Sequence, residues 1–294
     1  MNGPLSSKRG GSGFARAIGV ALVCYACARL LEIVPTAVPR MAIVALDVLS
    51  AMTFALLDGT RRYGLRGILI FAAICALVGN VIENIGVATG FPFGHYYFVE
   101  LMGPKLFNVP ILLGLAYIGM AYVSLTLAET ASIRHETPLT TTRIFAVSLL
   151  AAAIMTPWDL AQDPVWATVL HGWVWRDGGR WFGVPISNYC GWLATNFLIF
   201  LLFSFYLRYR PATSTSASSS SARPALLFYA LCALGNICQT IPRAIPATVQ
   251  DPAGKLWQVA DITRASALVS LCVMGSFVMI AWLGTRRQAI AATD

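Results

Sequence analysis

The feature that most limits what this chain can fold into is a succession of uninterrupted apolar stretches. Each is close to the ~20 residues that a helix needs to cross the hydrocarbon core of a bilayer. Eight can be marked out, at about residues 14–34, 40–58, 66–86, 109–129, 141–160, 186–208, 224–242 and 262–283. Lipid offers no partner for backbone N–H and C=O groups, and a helix satisfies them within one segment. The expected fold class is therefore all-α, a polytopic integral membrane helix bundle of eight transmembrane helices, or seven if the first is removed as a signal peptide. Ala26-Cys27-Ala28 behind a short basic leader fits such a cleavage site, but apolar residues continue past Arg29 to Val34, which favours a retained helix. A chain 57% hydrophobic and only 12% charged lies far from soluble domains of its length.

Four segments are expected: a cytoplasmic tail (1–13), a six-helix membrane core carrying the site (14–210), a flexible polar linker (211–223, PATSTSASSSSAR) and a C-terminal helix pair with a short tail (224–294). With the N-terminus in the cytoplasm, the inner segments hold Lys8, Arg9, Arg16, Arg61, Arg62, Arg66, Arg134, Arg143, Arg208, Arg210, Arg223, Arg286 and Arg287, 13 of the 21 basic residues. That asymmetry is the positive-inside rule. It places both termini inside, in a multi-pass plasma (cytoplasmic) membrane. The net charge of +8 thus describes topology and not a nucleic-acid partner.

Several chemistries lack their residues. Three histidines (95, 135, 171) are too few and too dispersed for a His-rich di-iron site, and Lys8, Lys105 and Lys255 all lie outside the middle of any span, so a retinal Schiff base has no place to form. There is no P-loop, dinucleotide fingerprint or thiol cluster. Cys24 and Cys27 form a CxxC, but inside an apolar helix they read as small core residues. No cofactor and no metal is expected.

Intramembrane charges cost roughly 2.5 to 3.5 kcal/mol each on insertion scales, so each asks for a partner or a purpose. Arg29 and Glu32, three apart, are expected to pair; Asp47 is ambiguous. In GNVIENIG, Asn80, Glu83 and Asn84 make one polar stripe, and in TPWDLAQDPVW, Asp159 and Asp163 sit one helical turn apart with Gln162 beside them and Trp158 and Trp166 flanking. Pro157 and Pro164 should bend or end that helix. Asn188, Trp192 and Asn196, spaced by four, line a face of the sixth helix, as an interhelical hydrogen-bond seam or as part of a site.

Two long aromatic connections are expected on the outer side. Residues 90–110 (GFPFGHYYFVELMGPKLFNVP) suit an interfacial or re-entrant segment. Residues 171–185 (HGWVWRDGGRWFGVP) read as a hairpin about Asp177-Gly178-Gly179, its tryptophans either an interfacial belt or part of the site. Alternation of spans brings Glu83, Asp159, Asp163, Asn188 and Trp192 to similar depth near the outer face. Low dielectric and neighbouring like charge disfavour the ionised form of a carboxyl, and a carboxylic acid that keeps its proton can donate it.

The run ENIGVATGFPFGHYYF…MGPKLFNVPILLGLAY, followed by WDLAQDPVW…WVW…WFGVPISNYCGW, resembles the membrane carotenoid-biosynthesis hydratases, of the γ-carotene 1'-hydratase and bisanhydrobacterioruberin hydratase type. The likeness extends from about Glu83 to Asn196 and fades beyond Arg210. It implies cofactor-independent addition of water to the terminal double bond of an acyclic (ψ) carotenoid end, giving a tertiary alcohol. Asp159, Asp163 and Glu83 become the candidate catalytic residues, with Asp159 as acid and Asp163 as base or the reverse. Trp158, Trp166, Asn188, Trp192, Asn196, Asn84 and Tyr96 become the candidate substrate-binding residues. The partners implied are a lipophilic carotenoid, membrane lipid and other carotenoid-biosynthesis enzymes. Three readings compete: a lycopene-cyclase-type enzyme, whose cation is captured by the polyene itself; a transporter, disfavoured by polar residues thinning toward the inner face; and a non-catalytic scaffold, which would tolerate loss of every acid.

Overall fold

A computed structural model describes residues 6–34, 37–132, 140–209, 221–240 and 246–291, without the side chains of 6–12 and 288–291. Most of the linker expected at 211–223 lies outside the described residues, as do residues 1–5, 292–294 and the inner-side Arg134, Glu136 and Arg210. The fold is an all-α polytopic membrane bundle, in which six helices are long and apolar enough to cross a membrane. Its helices are α1 (Ser6–Leu31), α2 (Arg40–Thr89), α3 (Ile111–Ala131), α4 (Thr141–Asp163), α5 (Ile186–Tyr209), α6 (Arg223–Cys238), α7 (Val259–Leu268) and α8 (Gly275–Ala291), the last two joined by a π-helical turn, Val269–Met274.

α2 accounts for two of the expected spans. Its 50 residues would run ~75 Å if straight, far beyond a bilayer core of ~30 Å. The helix breaks at Gly64 (φ 71°, ψ 162°), a conformation open to glycine, and reverses. Phe54 and Phe71, on opposite arms, both meet the ring of Tyr122 at centroid distances of 6.2 and 6.5 Å. Charge collects at the bend: Tyr122 Oη donates to Asp58 (2.7 Å), Arg61 pairs with Asp58 (3.5 Å), and Arg62 and Tyr63 both bond Glu129 (3.2 and 2.9 Å).

α3 is the bundle's central post. It is apolar on every side and buried almost without interruption from Tyr117 to Ala128, packing on α2, α4, α6 and α8. Gly119 lets α3 close on α2, since a Cβ there would stand 3.1 Å from the Ala51 backbone carbon. α8 packs on α3 and α6, and α6 is tied into the same bundle by two bonds: Tyr229 Oη donates to the Ile154 carbonyl, and Arg29 Nη2 reaches Asn236 Oδ1 at 2.7 Å.

Among the described residues the connections hold three two-stranded ribbons. Residues 90–110 form β1 (Tyr96–Phe98), a 3₁₀ turn (Glu100–Met102) and a small hairpin of β2 (Lys105–Leu106) with β3 (Val109–Pro110). A second hairpin joins β5 (Thr248–Gln250) to β6 (Leu256–Gln258). The hairpin expected about Asp177-Gly178-Gly179 does not form. The turn is made, Gly178 N–H bonding the Trp175 carbonyl at 3.0 Å, but β4 (Trp173–Trp175) pairs antiparallel with β1 of the other connection, Tyr96 opposite Trp175 and Phe98 opposite Trp173. The pairing brings Tyr96 against Trp175 and Phe98 against Trp173, at ring distances of 4.7 and 6.1 Å, the aromatic cross-strand contacts that stabilise a ribbon, while Trp181 closes a local bridge with Val184.

Candidate active site

Helical spacing puts Asp159 and Asp163 on one face at the end of α4, both buried. Pro157 is accommodated within the helix, whereas Pro164 ends its regular part and starts a π-helical turn, Pro164–Val169. Asn188, in the first turn of α5, lies across the pair: its Nδ2 donates to Asp159 Oδ2 at 2.9 Å and to Asp163 Oδ2 at 2.7 Å. A carboxamide has two N–H groups, one for each carboxyl. The acids differ in what else reaches them. Asp163 Oδ1 also accepts the indole N–H of Trp173 at 2.6 Å and of Trp175 at 3.4 Å, while among the described residues Asn188 is the sole hydrogen-bond donor to Asp159.

Glu83 enters from the second arm of α2, 4% exposed, and accepts from Tyr96 Oη at 2.5 Å and from Tyr117 Oη at 2.7 Å. Burial, reinforced by the Glu83 carboxylate, holds the Tyr96 hydroxyl well above the usual phenol range, so it stays a donor. The β1–β4 pairing sets Tyr96 over Trp175 at 4.7 Å. Trp192 stacks on Tyr117 (4.8 Å, 17°) and meets the edge of Trp158 (5.8 Å, 63°); Trp166 and Trp173 lie parallel at 6.2 Å.

Apart from Tyr117, which stands outside the lining, these groups open on one cavity of ≈ 910 Å³, counting its mouth. Of the residues singled out in the sequence, Glu83, Asp159, Asp163, Trp158, Trp166, Asn188, Trp192 and Tyr96 line it together. Asn84 and Asn196 do not. Asn84 is turned ~100° from Glu83 and instead pins the β2–β3 hairpin, accepting the Asn108 N–H at 2.9 Å. Asn196 lies two turns beyond Asn188, ~12 Å along the helix, buried with no hydrogen-bond partner among the described residues. Arg29 and Glu32 form the expected pair (2.8 Å), with Asp47 at 4.0 Å from the guanidinium, and all three line the cavity's opposite wall. Asn236 ties that wall to α4 by accepting from both Arg29 and Gln162.

Tyr117 escaped the sequence reading because a lone tyrosine in an apolar helix carries no signal of its own. Trp173 and Trp175 were ambiguous there; the Trp-Val-Trp alternation that suited an interfacial belt equally aims both indoles one way from a strand. Among the described residues no group of three or more His, Cys, Asp or Glu side chains is placed to hold a metal ion.

Fold and cavity define a polytopic membrane protein with a buried carboxyl cluster facing an apolar, tryptophan-walled chamber. The sequence profile described as "Carotenoid biosynthesis protein" matches residues 41–251, from the start of α2 to the β5–β6 loop, and the chain belongs to that family. The chain is also similar to bisanhydrobacterioruberin hydratase of Haloarcula japonica, 32% identical over 161 residues that make up 53% of this chain and 49% of the relative. It thus spans about half the length of the curated relative it matches. No solved structure matches it.

Proposed function

We propose that the protein is a carotenoid hydratase, adding water across the terminal C=C of an acyclic ψ end without a cofactor. The observation that carries this reading is the Asn188-bridged pair Asp159/Asp163, unequally hydrogen-bonded and facing an aromatic chamber. A relative named as a hydratase supports it. Asp163, surrounded by donors only, suits a carboxylate; Asp159, with a single amide donor, is free to carry a proton on its other oxygen.

In the reaction, the terminal π bond takes the Asp159 proton at its less substituted carbon, leaving a tertiary cation at the other. Trp158 and Trp192 faces stabilise that cation by about 0.5 to 2 kcal/mol each. The Glu83 carboxylate, fixed by Tyr96 and Tyr117, supplies a counter-charge. Water then forms the C–O bond as Asp163 accepts its proton, the general-base half of the step. The net change is one water added, with the proton moved from one member of the Asp pair to the other. Asn188, bonded to both, keeps them in register.

The distribution of basic residues supports a plasma (cytoplasmic) membrane location with both termini cytoplasmic and the site toward the outer face. The polyene enters the chamber from lipid, and other carotenoid-biosynthesis enzymes hand over substrate and receive product. The test is expression in cells that accumulate lycopene, followed by the masses of the extracted pigments. A product heavier by one water is expected. Products of unchanged mass with cyclised ends would replace this reading with a cyclase.

A further inference from the structure

Hydration needs a water molecule at the carboxyl pair while a hydrocarbon fills the chamber in front of it; the carboxyls and Asn188 offer a water the two to four polar partners it requires, but a bound polyene closes the approach from its own side. A second cavity, of ≈ 490 Å³ including its mouth, adjoins the first on the loop side. Its lining is mixed: Thr168, His171, Gln250 and Asp251 supply polar groups beside Val174, Trp175 and Pro252. His171 and Gln250 are exposed, so the cavity meets solvent. Asp251 is 5% exposed, and its carboxylate is fixed by the Lys255 N–H (2.9 Å) and the Trp257 indole (2.8 Å). It forms a fixed acceptor in the cavity's lining.

Trp175 lines both cavities and is the wall between them. Its hold on Asp163 is weak, 3.4 Å against 2.6 Å for Trp173, so Asp163 keeps a tight donor if Trp175 moves aside. Alternation along β4 turns Trp173 and Trp175 toward Asp163 and leaves Val174 for the loop-side cavity. The π-helical turn Pro164–Val169 bridges the two spaces, Trp166 in one and Ala167 and Thr168 in the other.

We infer that the loop-side cavity is the water inlet of the site, that Trp175 is its partition, and that the reacting water is delivered past that indole to Asp163. This rests on the hydratase reading. The inlet separates the approaches of the two reactants, polyene from lipid and water from the loop face. Each turnover draws one water through it, the oxygen bonding to the tertiary carbon and one proton passing to Asp163. A cation denied that water loses a proton from carbon or closes on the polyene, giving a hydrocarbon of unchanged mass.

The experiment fills the inlet without touching the carboxyl chamber. Val174→Trp does so from β4 and Pro252→Trp from the β5–β6 side, which keeps the test open if one variant fails to accumulate. Membranes of wild type and variants receive lycopene, and reacted carotenoid is divided by mass into alcohol and hydrocarbon isomers. The alcohol's share is expected to fall roughly tenfold, with isomerised or cyclised hydrocarbon taking its place. A share equal to that of wild type, at whatever overall rate, overturns the inlet, as does a variant that accumulates yet converts nothing, because blocked water leaves protonation intact. A wild type that forms no alcohol from lycopene or γ-carotene overturns the hydratase reading itself, and that failure is seen before any variant is compared.

Discussion

Asp159 and Asp163 share a helix face and one amide donor, and the difference between them comes from two indoles that reach only Asp163. If Asp159 is the proton source, Asp159→Asn removes the transferable proton while preserving size, and hydration should fall by about 10²-fold or more with protein levels unchanged. Asn188→Leu removes the bridge and leaves two buried carboxyls without a shared donor; rate and thermal midpoint should drop together, as measured by turnover and by unfolding in detergent. Trp192→Phe keeps a ring against the cation and should lose less activity than Trp192→Leu, which forfeits on the order of 1 kcal/mol. The two aspartates were legible from sequence because helical period is a local property. The donors that distinguish them were not, since Trp173 and Trp175 are positioned by a strand some 75 residues earlier, Tyr96–Phe98, and no local pattern encodes that pairing.

The elements that carry the site are set by two chain reversals. One is the break at Gly64, which folds α2 so that Glu83 returns to the level of Asp47 on the same cavity. The apolar runs 40–58 and 66–86 announced two spans, and the basic cluster at Arg61, Arg62 and Arg66 announced the bend between them. At that bend Tyr122→Phe strips Asp58 of its 2.7 Å donor. A buried acceptor left unmatched costs about 1 to 3 kcal/mol, so this variant should unfold at lower temperature while retaining activity below it. The other reversal is the β1–β4 pairing. Paired cysteines at Tyr97 and Val174, directly opposite in the register, should form a crosslink on oxidation, and free thiols at both positions under oxidant would contradict that register. The expected hairpin about Asp177-Gly178-Gly179 failed because turn chemistry specifies a turn and leaves the strand's partner to whichever aromatic face fits.

At the scale of the molecule, the described residues form eight helical rods when the arms of α2 are counted separately and α7 and α8 together. The aromatic connection of residues 90–110 follows the end of α2's second arm that lies opposite its charged bend at Gly64. In the topology proposed, a cysteine at Glu100, whose side chain is 94% exposed, should react with an impermeant thiol reagent added to intact cells, and a cysteine at Arg143 should not. Most spans were legible because hydropathy and length are fixed by the bilayer; the run 224–242 yields only the 16-residue α6, shorter than a full crossing. The chamber was legible only as shared depth: alternation of spans levels residues along the membrane normal, and which helices touch is decided by packing around α3, whose uniform apolarity marks no preferred face.

The central claim is that Asp159 protonates a ψ end and water captures the cation. Its most direct test is an anaerobic incubation of membranes with an acyclic carotenoid in water enriched in heavy oxygen, comparing wild type with Asp159→Asn. The account predicts a wild-type alcohol that carries the label and no alcohol from the variant. Labelled alcohol formed equally by Asp159→Asn, or a wild-type alcohol without the label, would contradict it.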